Sequence, residues 1–218
     1  MENDFKVTEE KIFELYGEFL LNHSERPKNV YRFAKNNGFE EQEFYDYFAS
    51  FEQIEEKMLS NLFYKSIELA AQIEHPGQIS AKEELLNVYF IFFENLTMNR
   101  SLILMILGKY KLRSTKNLRS LRDAHKNFIQ TLNFNEWEMM KNMKGNVREF
   151  QEKSRIEGLW LHFLSCIEFW RNDTSQSFEK TDLFIEKTID TGFELIDNEP
   201  LRKVVDLGKF LWKEKFRR

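Results

Sequence analysis

A chain of 218 residues with three prolines, eight glycines and one cysteine has little material for linkers, sheets of tight hairpins or disulfides, and an all-α fold of long helices joined by short turns is expected. The formal net charge of −4 and a pI near 5.7 exclude a global basic field that would draw the protein to nucleic acid or membrane. The longest apolar run, 88–93, is far below the ~20 residues of a membrane span, residues 1–10 are polar and charged, and the lone thiol is Cys166, so a cytoplasmic protein is expected.

In chain order, Thr8 precedes Glu9 and Glu10 and a stripe of Ile12, Phe13, Leu15, Tyr16, Phe19 and Leu20. This predicts a first helix N-capped by Thr8 and ending near His23 and Ser24. Over 27–52, Val30, Phe33 and Ala34 form one apolar face, Asn37-Gly38 breaks it, and Phe44, Tyr45 and Phe48 rebuild it at helical spacing. The pattern predicts helix, turn and short helix, with Pro27 in a first helical turn and Gly38 as the left-handed residue. Ser50 then caps a helix carrying Ile54, Met58, Leu62, Phe63, Ile67 and Ala70 up to Ile73, and His75-Pro76-Gly77 stops it.

Ser80-x-x-Glu83 is a capping box opening a helix through Leu96 that is apolar nearly all round, as in the middle of a bundle. A second buried segment, 102–107, ends at Gly108. The following stretch holds Lys109, Lys111, Arg113, Lys116, Arg119, Arg122 and Lys126 against Asp123, which reads as a solvated face or an anion-binding wall. Residues 125–132 look like the end of another helix. The longest amphipathic helix is expected over 147–170, a polar break over 172–175, a partner helix over 178–195, and an amphipathic tail over 200–216.

At Phe33-Ala34, Gly38-Phe39, Phe44-Tyr45 and Tyr47-Phe48 the chain resembles the TetR family of bacterial repressors, whose reader runs apolar-Ala, Gly-Val-Ser, a small residue, Thr, aromatic-Tyr, an aromatic pair and Ser-Lys-Glu. The scaffold matches. The polar positions depart: Glu40 stands for Ser, Gln42 for a small residue, Glu43 for Thr, and Phe51 for the phosphate-binding Lys. The resemblance implies a three-helix helix-turn-helix domain over 1–48 and a helical bundle over 49–218 that binds ligand and forms a homodimer. It implies a ligand-controlled repressor that reads two half-sites about one DNA turn apart.

The residues expected to meet DNA are Lys28, Asn29, Arg32, Glu41, Gln42, Tyr45 and Tyr47. No Lys or Arg occurs over 38–52, whereas Glu40, Glu41, Glu43, Asp46 and Glu52 are acidic, so affinity for DNA is expected to be weakened. The alternative is a carrier or interaction module that kept dimer and pocket, its glutamates serving only to cap a short helix. Phe92, Trp137, Met140, Trp160 and Phe163 are expected to border a pocket for an apolar or amphiphilic small molecule, although a Phe-rich core would have the same composition. Ile167, Trp170, Ile185 and Ile189 are expected at the dimer interface, on two helices whose apolar faces exceed what one small domain can cover.

His162 and Cys166 lie four apart on one helix, but no third ligand is placed beside them, and a buried core pair is the expected reading. There is no glycine-rich phosphate loop, nucleophile elbow or His-Glu-x-x-His, so neither an enzyme, a metal nor a cofactor is expected.

Overall fold

The computed structural model describes residues 6–74, 77, 79–108, 118–134 and 145–197. Among these residues the chain is all-α, with no strand: α1 (Glu9–His23), α2 (Val30–Asn36), α3 (Glu41–Tyr45), α4 (Phe51–Ala70), α5 (Ala81–Met98), α6 (Arg100–Gly108), α7 (Arg119–Thr131), α8 (Gly145–Asn172) and α9 (Glu179–Asp197). They fall into two compact units, Met1–Leu69 with Ile91–Asn127 and Ala70–Phe90 with Phe128–Arg218.

In the first unit, Thr8 caps α1 by accepting from the Lys11 N–H at 3.2 Å, and Ser24 closes it in the left-handed region at φ 55°, its N–H on the Leu20 carbonyl at 2.8 Å. Ile12, Tyr16 and Leu20 form the buried stripe. Gly17 lets α6 approach closely, since a Cβ there would meet Leu102 Cδ2 at 3.3 Å.

The helix-turn-helix expected over 27–52 is present, but Pro27 does not open it. Asn29 does: its Oδ1 accepts from the Arg32 N–H at 2.8 Å, and a side-chain cap fixes the start at Val30, where proline could only tolerate it. Gly38, at φ 78°, supplies the left-handed turn into α3. Phe33 is the hub beneath the motif, with Phe51 at 5.5 Å, Phe39 at 5.8 Å and Phe44 at 6.3 Å, all edge-on. Ser50 accepts from Gln53 N–H at 3.3 Å, and Gln53 Oε1 accepts from Ala49 N–H at 2.6 Å, so α4 begins with a reciprocal cap. α4 ends at Ala70, three residues short of the expected end, and Ile73 is left exposed in a turn. Later in this unit Phe63 meets Phe92 at 5.4 Å and His125 at 5.7 Å, and Asn95 donates to Ser66 at 3.3 Å.

In the second unit the Ser80–Glu83 capping box forms as expected: Glu83 Oε2 accepts from Ser80 N at 2.8 Å, and Ser80 Oγ from Glu83 N at 3.2 Å. Lys82 then pairs with Asp190 of α9 at 2.7 Å. The α8 to α9 turn is built on Asp173, a buried carboxylate. Its Oδ1 accepts from Ser175 N (2.8 Å) and Oγ (2.7 Å), and its Oδ2 from Thr181 N (2.9 Å) and Oγ1 (2.7 Å). Burial pushes this carboxyl up, but the four donors outweigh it and hold the pKa at about 2. A 3-10 turn, Gln176–Phe178, with Ser177 and Phe178 at positive φ, completes the connection.

Candidate nucleic-acid interface

α2 and α3 pack against each other, and each residue expected to meet DNA keeps some outward surface. Lys28, Asn29, Arg32, Gln42 and Tyr45 are exposed, and Glu41 and Tyr47 are half-buried. Asn29 already uses its Oδ1 as the α2 cap. One further exposed group was not singled out from the sequence: Tyr31, 52% exposed, whose hydroxyl accepts at 3.3 Å from Nζ of Lys35, a residue the sequence already offers for phosphate. Their i, i+4 spacing on a helix already assigned to the motif was the available signal.

The acids around α3 have specific internal uses. Glu43 holds the start of the helix: its Oε2 accepts from Glu40 N at 2.8 Å and its Oε1 from Val7 N at 3.1 Å. Asp46 pairs with Lys6 at 2.9 Å, and that hydrogen bond and charge raise the Lys6 pKa. Glu52 forms an ion pair with Arg26. Glu41 Oε1 accepts from the Tyr45 hydroxyl at 3.4 Å. Lys6 thereby offsets Asp46, and Arg26 is shared between Glu52 and Glu55, whereas the neutral donors that hold Glu41 and Glu43 leave their charge in place, so the acidic count of the sequence overstates the charge a phosphate would meet by about one unit.

Phe51, at the position of the phosphate-binding Lys in the resemblance, is turned inward. It lies at 5.3 Å and 10° from the Tyr16 ring and 5.3 Å from Phe44, and is buried. Behind it, Glu55 is fully buried and accepts from Tyr16 Oη at 2.7 Å, Arg26 Nε at 2.9 Å and Arg26 Nη2 at 2.6 Å. This network escaped the sequence reading, although Phe51, Glu55 and Leu59 recur every four residues on the buried side of α4.

A family model described as the tetracyclin repressor-like C-terminal domain matches residues 84–211, more than half of the chain. The chain belongs to the TetR family. It is thus a TetR-like transcriptional regulator, as the helix-turn-helix residues implied, and the matched region lies wholly C-terminal to that motif. A search of curated proteins found no match.

Of the pocket residues expected in this TetR-like chain, Phe92 is fully buried in the first unit, and Trp160 and Phe163 are buried in the second, with rings 5.9 Å apart. Trp137 and Met140 lie outside the described residues, as do 109–117 of the basic stretch and the tail over 200–216. The four residues expected at a dimer interface need correction. Ile167, Trp170, Ile185 and Ile189 are at most 3% exposed within a single chain, because the apolar stripes of α8 and α9 face the chain's own core. The outward apolar surface of this pair carries Leu183, 48% exposed, in a shallow groove with Phe169 and Phe184, whose rings stack at 4.4 Å. Lys180 and Lys187 also line it.

His162 and Cys166 come together as a pair, with Cys166 buried and His162 half-buried. Thr188 donates to the Phe184 carbonyl at 2.6 Å, so it accepts from His162 Nε2 at 2.7 Å, which fixes the proton on that nitrogen. Cys166 Sγ is 3.6 Å from the same nitrogen. Burial lowers the His162 pKa and pushes the Cys166 thiol up to about 12, which makes it a poor nucleophile or metal ligand. Among the described residues no group of three or more His, Cys, Asp or Glu is placed to hold a metal ion, and no single helix is long and apolar enough to cross a membrane.

Proposed function

We propose that this TetR-like regulator reads DNA with the outer edge of α3 as a homodimer, and that an apolar or amphiphilic small molecule in the second unit controls that reading. The observation that carries the proposal is the disposition of charge around α3. Glu43, Asp46 and Glu52 are committed to backbone N–H groups, Lys6 and Arg26, while Gln42 and Tyr45 of α3 and Lys28 and Arg32 at the start of α2 stay exposed. Hydroxyls, amides and basic groups at these positions supply phosphate contacts and base-edge hydrogen bonds. The reader domain is taken to extend to about residue 48, with α4 as the lever. A ligand beside Trp160 and Phe163 would act by changing the separation of the two readers. A partner chain would meet the Leu183 face of α8 and α9.

Selection of duplexes from a random-sequence pool by the wild-type protein at physiological salt tests the DNA claim. One enriched palindrome supports it, and an unenriched pool contradicts it. Ligand control is tested by tryptophan fluorescence titrated with long-chain fatty acids. Saturable quenching that weakens DNA binding supports it, and no saturation with the whole series opposes it.

A second reading, a carrier that does not bind DNA, is favoured by one observation: Glu40 is exposed at the start of α3, and no Lys or Arg occurs over 38–52 to offset it. Absence of any enriched sequence with retained ligand quenching would select that reading.

A further inference from the structure

Glu55 is a carboxylate with no exposed surface, held by three donors from two other segments. Tyr16 comes from the middle of α1, and Arg26 from the connection between α1 and α2. Arg26 also reaches forward to Glu52, so a single guanidinium clasps carboxylates one turn apart at the start of α4. The ring of Tyr16 belongs at the same time to the aromatic cluster under the reader. It stacks on Phe51 at 5.3 Å and meets Phe33 of α2 edge-on at 6.2 Å. One side chain therefore joins the ion network to the floor on which α2 and α3 rest. Burial, then the bond to Glu55, raise the Tyr16 pKa well above the ordinary phenol value, so its hydroxyl stays a donor.

Ion pairs removed from water contribute little net stability compared with apolar residues of the same volume, because desolvation offsets their attraction, but their geometry is strict. A fork that fits one carboxylate at one distance selects one arrangement of the elements that carry it. We propose that Arg26, Glu55 and Tyr16 are positioning residues for the reader: their network fixes the angle at which α4 leaves α1 to α3, and is kept for that angle more than for stability. The DNA part of the test rests on the function proposed above; the exchange part does not.

The experiment uses the full chain as wild type, as the triple variant Tyr16→Phe with Arg26→Met and Glu55→Leu, which leaves no buried donor without its acceptor, and as Arg26→Lys, which keeps the charge without the fork. Three quantities are read: the thermal midpoint, amide hydrogen exchange over 30–48, and the affinity ratio for a selected against a scrambled duplex. The triple variant is expected to melt at or above wild type, to exchange about tenfold faster over 30–48 with 85–96 unchanged, and to lose about tenfold in discrimination. Arg26→Lys is expected to fall between the two. A triple variant that melts far below wild type would make the network a stabiliser and overturn the proposal. So would one with wild-type exchange, or an Arg26→Lys protein equal to wild type throughout. If the wild type selects no sequence, the DNA-reading function fails while the exchange measurement still decides this proposal.

Discussion

Phe51 lies flat against Tyr16, ring centroids 5.3 Å apart and planes 10° from parallel, at the place where the family pattern has a lysine that touches phosphate. Restoring that lysine would put a cation into the aromatic core. Phe51→Lys is expected to cost about 3–5 kcal/mol in urea unfolding, and Phe51→Leu under about 2 kcal/mol. A Phe51→Lys protein within about 1 kcal/mol of wild type would show that the side chain can turn outward.

Glu43 is expected to matter for folding as a cap. Replacing it by Thr, the family-like residue, removes acceptors for Glu40 N and Val7 N and should cost about 1–2 kcal/mol, with Glu43→Gln closer to wild type because it keeps one acceptor oxygen. Glu40→Ser, at an exposed position, should leave the unfolding midpoint unchanged and raise affinity for a scrambled duplex. Equal stability of Glu43→Thr and wild type would contradict the capping role.

The helix-turn-helix was legible because its signals are local: Gly38 needs a positive φ, and Phe33, Phe44 and Phe48 follow helical spacing. The caps at Thr8, Ser50 and Ser80 were legible for the same reason. What escaped depends on contacts distant in sequence. Arg26 to Glu55 spans 29 residues and Val7 to Glu43 spans 36, and no local pattern tells a buried glutamate from a solvated one. The interface residues failed for a related reason. An amphipathic stripe says which face is buried, and Ile185 and Ile189 could not reveal that their own chain buries them.

That correction changes the dimer test. Leu183→Glu, on the outward face, is expected to halve the mass in sedimentation while keeping the thermal midpoint. Ile189→Asp, 3% exposed, is expected to lower the midpoint by burying a charge. A Leu183→Glu protein that sediments as wild type would place the partner elsewhere.

Asp173 gives a pH signature. Its folded pKa of about 2 lies below the ordinary value near 3.9, so between these values the unfolded chain binds more protons than the native one. Its contribution to stability is therefore full above about pH 4 and declines as pH falls toward about 2. Asp173→Asn should lower stability at neutral pH and flatten the acid dependence within that window. An unchanged acid limb would show that Asp173 does not hold the turn.

The claim that α3 reads bases is tested most directly by comparing the sequences selected from a random pool by wild type and by Gln42→Ala. Gln42 is exposed on α3, and in the proposed reading its amide would pair with one base edge. The account predicts one enriched palindrome with wild type, and with Gln42→Ala the same palindrome relaxed at one position in each half-site. Identical motifs from both proteins, or no enriched motif from the wild type, would contradict it.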